Sequence, residues 1–233
     1  DKLETILVLF SYLVAGFPEI AEIDINPLAI SRGEICAIDA RIILDKDYTE
    51  SASFYPHLVI TPYPIRFVTS SKLSDGTEVV LRPIMPEDEP LEREFLATLS
   101  EESRRTRFFS AFKNISHEWL VMFCNIDYDR HIAMVAEVKE NGERKIIGVV
   151  RLILNPDFNS GEVAALVHDR FQRKGVGQKL MEAVIKIARW KGLHEIYGEV
   201  LTDNQKMLGL CRKLGYKTEW LPGGITRISL SLK

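Results

Sequence analysis

The sequence predicts a globular α/β protein in two parts, and three observations support this. The composition is ordinary for a folded chain, with 46% hydrophobic and 27% charged residues among 233. Segments in which apolar residues recur with helical spacing alternate with short strand-like runs. A stretch rich in Ser, Thr, Tyr and Pro divides these segments into two groups. We therefore expect a first unit over residues 1–44, a linker or ordered extension over 45–72, and a second domain over 73–233.

The first unit is predicted to be a helix followed by a β-hairpin. Apolar residues between Leu3 and Val14 have helical spacing, and two strands over 20–30 and 34–43 are joined by a turn at 31–33. About 44 residues bury too little surface to be stable alone. We therefore expect this unit to pack against another folded body.

The second domain is predicted to alternate strands and helices. Asp75-Gly76 is a turn signal before a strand over 77–81, and acidic residues after Pro86 open a helix. Asn141-Gly142 predicts a hairpin turn. Further strands are expected over 132–138, 146–154, 162–167, 196–200 and 226–230, and further helices over 116–125, 175–191 and 204–214.

Several classes of protein are disfavoured by the composition. The sequence has no run of 18 apolar residues, so no membrane segment is expected, and a net charge of −3 argues against a nucleic-acid partner. Cys36, Cys124 and Cys211 lie far apart, without the paired spacing of metal sites or disulfide frameworks. No secretory signal opens the chain, so we expect a cytoplasmic protein with no metal site. Because the chain begins with Asp1 rather than Met, we expect it to be part of something longer.

The segment after the strand over 162–167 has the features of an anion site. Gly175 and Gly177 precede a helix, where backbone N–H groups can approach a phosphate, and basic residues surround them. Leu180 replaces the third glycine of a dinucleotide fingerprint, and no Lys-Ser or Lys-Thr pair follows Gly177 as in a Walker loop. A pyrophosphate ligand of another class fits, although a tight turn with solvated arginines has the same pattern.

This segment resembles the coenzyme A signature of GNAT acetyltransferases. Gln172, Gly175 and Gly177 match its QxxGxG pattern, and Glu199–Asn204 with Met207 resemble its second motif. The resemblance implies a mixed, mostly antiparallel sheet that opens between two parallel strands, with helices on both faces and acetyl-CoA as cosubstrate. It implies acetyl-CoA contacts at Ala165, Leu166, Val167, Gln172, Arg173, Lys174, Gly175, Val176, Gly177, Gln178, Lys179 and Asn204.

Further motifs narrow the resemblance to Pat-type protein lysine acetyltransferases. These include Leu81-Arg-Pro, Arg107-Phe-Phe and Ile126-Asp-Tyr-Asp. The segments 22–28 and 33–40 resemble the last hairpin of the ATP-grasp domain in acyl-CoA synthetases.

The narrower resemblance implies a protein lysine as acceptor, with an acyl-CoA synthetase as target. A small-amine acetyltransferase and a non-catalytic acetyl-CoA sensor stay open as alternatives. In the synthetase family, residues at Asn26 and Asp39 bind magnesium. The rest of that cleft is missing, so no metal ligand is assigned here.

The amine acceptor requires a general base, because only about one lysine in 2,500 is neutral at pH 7. The resemblance implies Glu162, ten positions before Gln172, and burial would raise its pKa toward about 6 to 7. His168 is the competing candidate for the base, and an exposed glutamate at the end of the strand, without a catalytic role, is the other alternative for Glu162. The tyrosine that many GNAT enzymes use to protonate the thiolate is replaced by Cys211.

Two further roles are expected around the cofactor segment. A backbone N–H near Leu166 or Val167 is expected to bind the oxyanion. Arg104, Arg105 and Arg107 are expected to be a solvated face, with phosphate or acidic-substrate binding as the alternative.

Overall fold

The computed structural model describes residues 2–31, 34–49, 58, 61–108 and 116–233. The chain divides into two compact units, over residues 1–62 and 63–233. The division falls inside the segment 45–72. Arg32 and Gly33, at the centre of the turn expected in the first unit, lie outside the described residues.

The first unit contains a helix and an interrupted hairpin. Its elements are α1 (Lys2–Gly16), β1 (Ile20–Ile25), β2 (Leu28–Ser31), β3 (Glu34–Ala37) and β4 (Ala40–Leu44). β1 pairs with β4 and β2 with β3, both antiparallel.

Each of the two long strands predicted for this unit is broken once. Pro27, which has no N–H to donate, interrupts the first strand, and Ile38 and Asp39 lie opposite it. The Asn26 N–H still donates to the Asp39 carbonyl at 3.1 Å, and the Ile38 N–H to the Pro27 carbonyl at 3.0 Å. The two short ladders therefore follow each other as one hairpin.

The described residues of the second unit form an eight-stranded sheet in the order β11-β12-β10-β9-β8-β7-β6-β5. All neighbouring pairs are antiparallel except β9 and β10. This confirms the mixed, mostly antiparallel sheet that the resemblance implies. The strands are β5 (Thr69–Lys72), β6 (Glu78–Pro83), β7 (His131–Glu140), β8 (Glu143–Leu154), β9 (Ser160–Val167), β10 (Glu195–Leu201), β11 (Lys217–Leu221) and β12 (Ile225–Ser231).

Helices cover both faces of this sheet. Neighbouring residues of β7 point to opposite faces, so Met134 joins a core with Leu180 and Leu208 whereas Val135 joins one with Phe95 and Leu120. No helix in the described part of the chain is long and apolar enough to span a membrane. The helices are α2 (Glu89–Ala97), α3 (Glu101–Phe108), α4 (His117–Cys124), α5 (Val176–Trp190) and α6 (Gln205–Lys213).

Among the strands and α-helices of the described residues, β5, β11 and α3 were not predicted from the sequence. β11 lies at the sheet edge with four of its five residues exposed, so it lacks an apolar alternation. α3 is strongly polar, and Ser103 is its buried residue. The predicted hairpin turn at Asn141-Gly142 is present, with φ values of 54° and 87°.

Candidate active site

The parallel strands β9 and β10 separate partway along their length. They pair from Glu195 opposite Ser160 to Tyr197 opposite Glu162, and the pairing ends there. Gly198 follows directly, and a Cβ at this position would lie 2.5 Å from the Val163 carbonyl oxygen. Glycine is therefore required for the close approach just before the strands diverge.

Where β9 and β10 separate, one backbone edge of β9 faces the gap between the two strands. The His168 N–H donates to the Ile147 carbonyl of β8 at 2.9 Å. Since backbone groups alternate sides along an antiparallel strand, those of Leu166 also face β8, whereas those of Ala165 and Val167 face the gap. The Val167 carbonyl accepts from the Gln172 side chain at 3.3 Å. Of the two backbone donors expected for the oxyanion, the Val167 N–H is the one directed into the gap.

A cavity of about 500 Å³ lies beside this edge. It is bounded by the end of β9, the loop and first turn of α5, and one side each of α3 and α6. Nine residues expected to contact acetyl-CoA line it, namely Ala165, Leu166, Val167, Gln172, Arg173, Gly175, Gly177, Gln178 and Asn204.

The loop before α5 brings helix N–H groups to the cavity. Arg173 and Gly175 have positive φ values of 61° and 94°, and Gly175 caps the helix in the left-handed conformation. A Cβ on Gly177 would contact Leu210 and Val167 at 3.4 and 3.5 Å, and both of these residues line the cavity. Because the first helical turn has N–H groups without intrahelical acceptors, this end of the cavity favours an anion.

The side chain of Gln172 links three elements around the cavity. Its amide nitrogen donates to Ser103 Oγ of α3 at 3.2 Å, and its oxygen accepts from Lys206 Nζ of α6 at 3.3 Å. Ser103 Oγ in turn donates to Asp169 at 2.8 Å, and Ser100 donates to the same carboxylate. Burial raises the pKa of Asp169, but these hydrogen bonds outweigh it and hold that pKa below its ordinary value. The charged carboxylate of Asp169 therefore fixes the start of α3 against the loop between β9 and α5 (residues 168–175), which we call the cofactor loop.

Glu162 lies at the last paired position of β9, about 10 Å along the strand from Ala165. Its side chain is exposed, so the burial expected for it is not found. On β8 its partner is Ile153, which is 53% exposed. Burial and the like charge of Arg151 lower the pKa of Arg107, and the Glu162 carboxylate opposes that shift. A carboxylate with a nearby cation therefore faces solvent where the strands divide.

His168 lies outside the large cavity. Its Nδ1 atom accepts from the Arg170 N–H at 3.2 Å, and its ring centroid lies 6.5 Å from that of Phe95 and 6.1 Å from that of Phe171. It contributes instead to a cavity of about 80 Å³ between α2 and the β7–β8 hairpin. About 20 Å of strand separate it from Glu162.

The three arginines of α3 point to different partners and do not form one solvated face. Arg104 donates to the Leu99 carbonyl, and Arg105 pairs with Asp203 at 2.8 Å. Arg107 is desolvated near Glu162. A joint phosphate site of the three arginines is therefore not formed.

Comparison with known proteins identifies the second unit. A sequence model of the Acetyltransferase (GNAT) family matches residues 94–216, slightly more than half of the chain. The chain belongs to the GNAT acetyltransferase family. A model of the ATP-grasp domain matches residues 1–44.

Relatives of the GNAT domain include two named acetyltransferases. One from Pseudomonas aeruginosa is 33% identical over 156 residues, which is 67% of this chain and 84% of that protein. Acetyltransferase Pat of Mycolicibacterium smegmatis is 30% identical over 157 residues, and the alignment spans only 44% of its length.

Two crystal structures show the same fold. The GNAT domain of S. lividans PAT superimposes with a TM-score of 0.67 at 27% identity, over 73% of this chain and 99% of that one. The spermidine N-acetyltransferase of Vibrio cholerae, in complex with CoA and spermine, has a TM-score of 0.54 at 20% identity, over 66% and 95%.

This GNAT protein is an acetyltransferase whose cosubstrate is acetyl-CoA, and the cavity has the chemistry for that molecule. The first turn of α5 supplies N–H groups at one end, which suits a diphosphate. Leu166, Met207 and Leu210 give the interior an apolar lining. The backbone edge of β9 supplies polar groups at the other end.

Three of the expected contact residues direct their side chains away from the cavity of this GNAT domain. Lys174 Nζ pairs with Asp75 at 3.0 Å, and Lys179 Nζ donates to Ser71 at 2.6 Å. Val176 is 1% exposed and packs in the core. Any contact of these residues with the ligand therefore involves backbone atoms.

Asn204 and Cys211 sit at either end of the GNAT domain's second motif. Asn204 caps α6 through Oδ1, which accepts from the Met207 N–H at 3.1 Å. Cys211 is fully buried, and burial raises the pKa of its thiol to about 12. It does not line the cavity, so it does not replace the tyrosine of other GNAT enzymes.

Several residues that line the GNAT cavity were not predicted from the sequence to contact acetyl-CoA. The α6 face has helical spacing that continues from Met207, so this group was detectable. The α3 residues and Ser74 come from distant parts of the chain, and no local pattern marks them. The missed residues are Ser74, Glu102, Ser103, Thr106, Asp169, Lys206, Met207, Leu210 and Lys213.

Proposed function

We propose that this enzyme transfers the acetyl group of acetyl-CoA to the side-chain amine of a lysine on another protein. The exposed carboxylate of Glu162, at the point where β9 and β10 divide, is the observation that carries the proposal. It lies on the strand whose other end lines the cavity. An amine on a large acceptor can approach it from solvent.

Glu162 is proposed as the general base. A lysine is neutral in only about one molecule in 2,500 at pH 7, which costs roughly 4.6 kcal/mol before attack on the thioester. A carboxylate that accepts the ammonium proton removes much of this cost. The distance of about 10 Å along the strand to Ala165 favours transfer of this proton through water.

The remaining steps follow from the cavity geometry. The neutral amine attacks the thioester carbonyl, and the Val167 N–H, which faces the gap, stabilises the oxyanion. Collapse breaks the C–S bond and expels the CoA thiolate, while the nitrogen of the adduct loses its extra proton to water, which leaves the neutral acetylated amine. Cys211 is buried and does not serve as the acid, so the two alternatives are an unaided departure of the thiolate and another residue as acid. We propose the unaided departure, which the ordinary thiol pKa of about 8.5 allows.

The proposed ligand contacts follow the cavity lining. The first-turn N–H groups of α5, from Val176 to Gln178, bind the diphosphate, and Arg173 supplies positive charge beside it. Asn204 has its amide nitrogen left for the ligand, since its oxygen caps α6.

A protein acceptor is favoured by the surroundings of Glu162. Exposed Ile153 lies beside it on β8, an apolar contact suited to the residues around a lysine. The motifs resembling Pat-type protein lysine acetyltransferases support the same class of acceptor. On the ground of the same resemblance, we propose an acyl-CoA synthetase or similar metabolic enzyme as the regulated target.

The domain boundaries are part of the proposal. Residues 1–44 are the C-terminal end of an ATP-grasp module, and 73–233 belong to the catalytic domain. The expected connecting segment 45–72 is too long at its C-terminal end, because the second unit begins at residue 63 and its sheet includes β5 (Thr69–Lys72). The family match over 1–44 supports the first boundary.

The experiment is acetylation of a purified acyl-CoA synthetase by this chain with acetyl-CoA, followed by mass spectrometry of its lysines. Spermidine and other small amines are tested in parallel by thiol release. We expect acetyllysine on the protein, and little of it with Glu162→Gln. Faster turnover of small amines would overturn the choice of acceptor. Acetyl-CoA binding without transfer to any amine would indicate a sensor.

A further inference from the structure

The turn of the β5–β6 hairpin reaches the cofactor loop, about 100 residues further along the chain. The backbone N–H of Ser74 and its hydroxyl both donate to the Lys174 carbonyl, at 3.1 and 3.2 Å. Asp75 pairs with Lys174 Nζ at 3.0 Å. Residue 174 is therefore held through both its backbone and its side chain.

A second basic residue of the helix start is held by the same hairpin. Lys179 Nζ donates to Ser71 Oγ at 2.6 Å. Lys174 Nζ also lies 5.2 Å from the ring centroid of Phe171, a cation–π distance. The ammonium groups of Lys174 and Lys179, both expected to contact the phosphates, therefore bind the β5–β6 hairpin instead, and that of Lys174 also lies near Phe171 of the loop.

The backbone held in this way is unusual. Lys174 lies between Arg173 and Gly175, which have positive φ values. A non-glycine residue in the left-handed region costs energy and persists where surrounding structure determines it. Fixing the Lys174 carbonyl sets the plane of the peptide that leads into α5, and hence the direction of the next N–H groups.

The charge state of Asp75 supports a lasting contact. Hydrogen bonds from Thr77 and Lys174 lower the pKa of Asp75 to about 2, so the carboxylate is charged at neutral pH. One of its oxygens accepts from the Thr77 N–H at 3.0 Å, which fixes the turn itself.

We infer that the β5–β6 turn is a positioning clamp for the diphosphate site, in which Ser74 and Asp75 hold residue 174 so that the first-turn N–H groups of α5 face the cavity. Lys174 and Lys179 then serve the loop rather than the phosphates. This inference rests on the proposed location of acetyl-CoA.

The test is calorimetric binding of CoA to the full chain, which needs no acceptor. Asp75→Asn keeps an oxygen for Thr77 but removes the charge, and Lys174→Met keeps length without charge. Each is expected to weaken CoA binding by about two- to fivefold, and the double variant by no more than the larger single effect. Asp75→Glu keeps the negative charge and should therefore bind CoA more tightly than Asp75→Asn does, close to the affinity of the unsubstituted chain. Glu78→Gln is the matched control, since its ion pair with Lys72 at 3.8 Å lies on the same hairpin.

A direct phosphate contact by Lys174 makes a different prediction. Lys174→Met would then weaken binding equally with and without Asp75→Asn, and this result would overturn the clamp. S-acetylpantetheine, which lacks the diphosphate, gives a second readout. Its affinity should not change in Asp75→Asn, and an equal loss for both ligands would mean a general structural role, which also overturns the clamp.

The location of acetyl-CoA is tested separately by Gly177→Trp in the same titration. Unchanged CoA binding in this variant refutes the location and the clamp together. A large loss in Gly177→Trp with none in Asp75→Asn refutes the clamp alone.

Discussion

The two ends of β9 differ in what lies beside them. At Gly161 and Glu162 the strand is paired on both sides, whereas at Ala165–Val167 it is paired with β8 alone and its other edge faces a cavity. The paired end presents a carboxylate to solvent, and the separated end presents backbone groups to a ligand. On the proposed assignment, the proton acceptor lies at the paired end of this strand, and the oxyanion donor and the acetyl-CoA contacts lie at the separated end, because β10 leaves β9 after Glu162.

The sharpest test of this division is Glu162→Gln. The amide keeps the shape but cannot take a proton, so turnover should fall by roughly 100- to 10,000-fold at neutral pH. CoA affinity, measured by calorimetry, should not change. The loss should shrink as the pH approaches about 10.4, where the acceptor lysine is neutral without help. If His168→Ala shows this pH-dependent loss instead, the base has been misassigned.

The separated end of β9, where acetyl-CoA is proposed to bind, is tested by Gly177→Trp in the neighbouring helix α5. Because a Cβ there already contacts Val167 and Leu210, a larger side chain must occupy the cavity. We expect CoA affinity to fall on the order of 100-fold, about the contribution of one to two hydrogen bonds to a charged group. Circular dichroism should show an unchanged fold. Normal affinity in a folded variant would place the ligand elsewhere.

The junction between the two ends depends on Gly198. A Cβ at this position would lie 2.5 Å from the Val163 carbonyl oxygen, so Gly198→Ala must push the strands apart. We expect a loss of about 1 to 3 kcal/mol in the free energy of unfolding, measured in urea. Full stability would show that the close approach is not needed.

The smallest expected effect is at Gly209, which touches neither end of β9. It lies inside α6 with open space where the methyl group of an alanine would lie, and its φ is not positive. Gly209→Ala should therefore stabilise the protein by about 0.5 to 1 kcal/mol through helix propensity. CoA affinity should stay the same. A destabilised variant would contradict the open environment of this position.

The parts of the fold that were predictable from sequence are those with local signals. α5 begins and ends within one residue of the predicted range 175–191, because its apolar period is strong and Gly175 marks its start. The parallel pair β9 and β10 and the role of the QxxGxG segment came from the resemblance. Composition and periodicity do not predict the order of the strands in the sheet.

The parts that were not predictable depend on contacts distant in sequence. Ser103 meets Asp169 across 66 residues, and Lys179 meets Ser71 across 108. Lys174 was assigned to the phosphates because its charge lies next to the glycines, but its Nζ pairs with Asp75 at 3.0 Å. A charged side chain has several possible partners, and sequence spacing alone does not choose among them.

The open edge of β9 binds its ligand through backbone groups, and this affects which substitutions the edge tolerates. What Ala165 and Val167 turn toward the gap is main chain, which every residue except proline possesses in the same form. Mutation can therefore alter side chains at these positions without deleting the donor groups. Proline is the exception, since Val167→Pro would remove the N–H itself. Recognition by main chain therefore allows substitution at Ala165 and Val167 by side chains that fit the cavity, while the backbone donors stay in place.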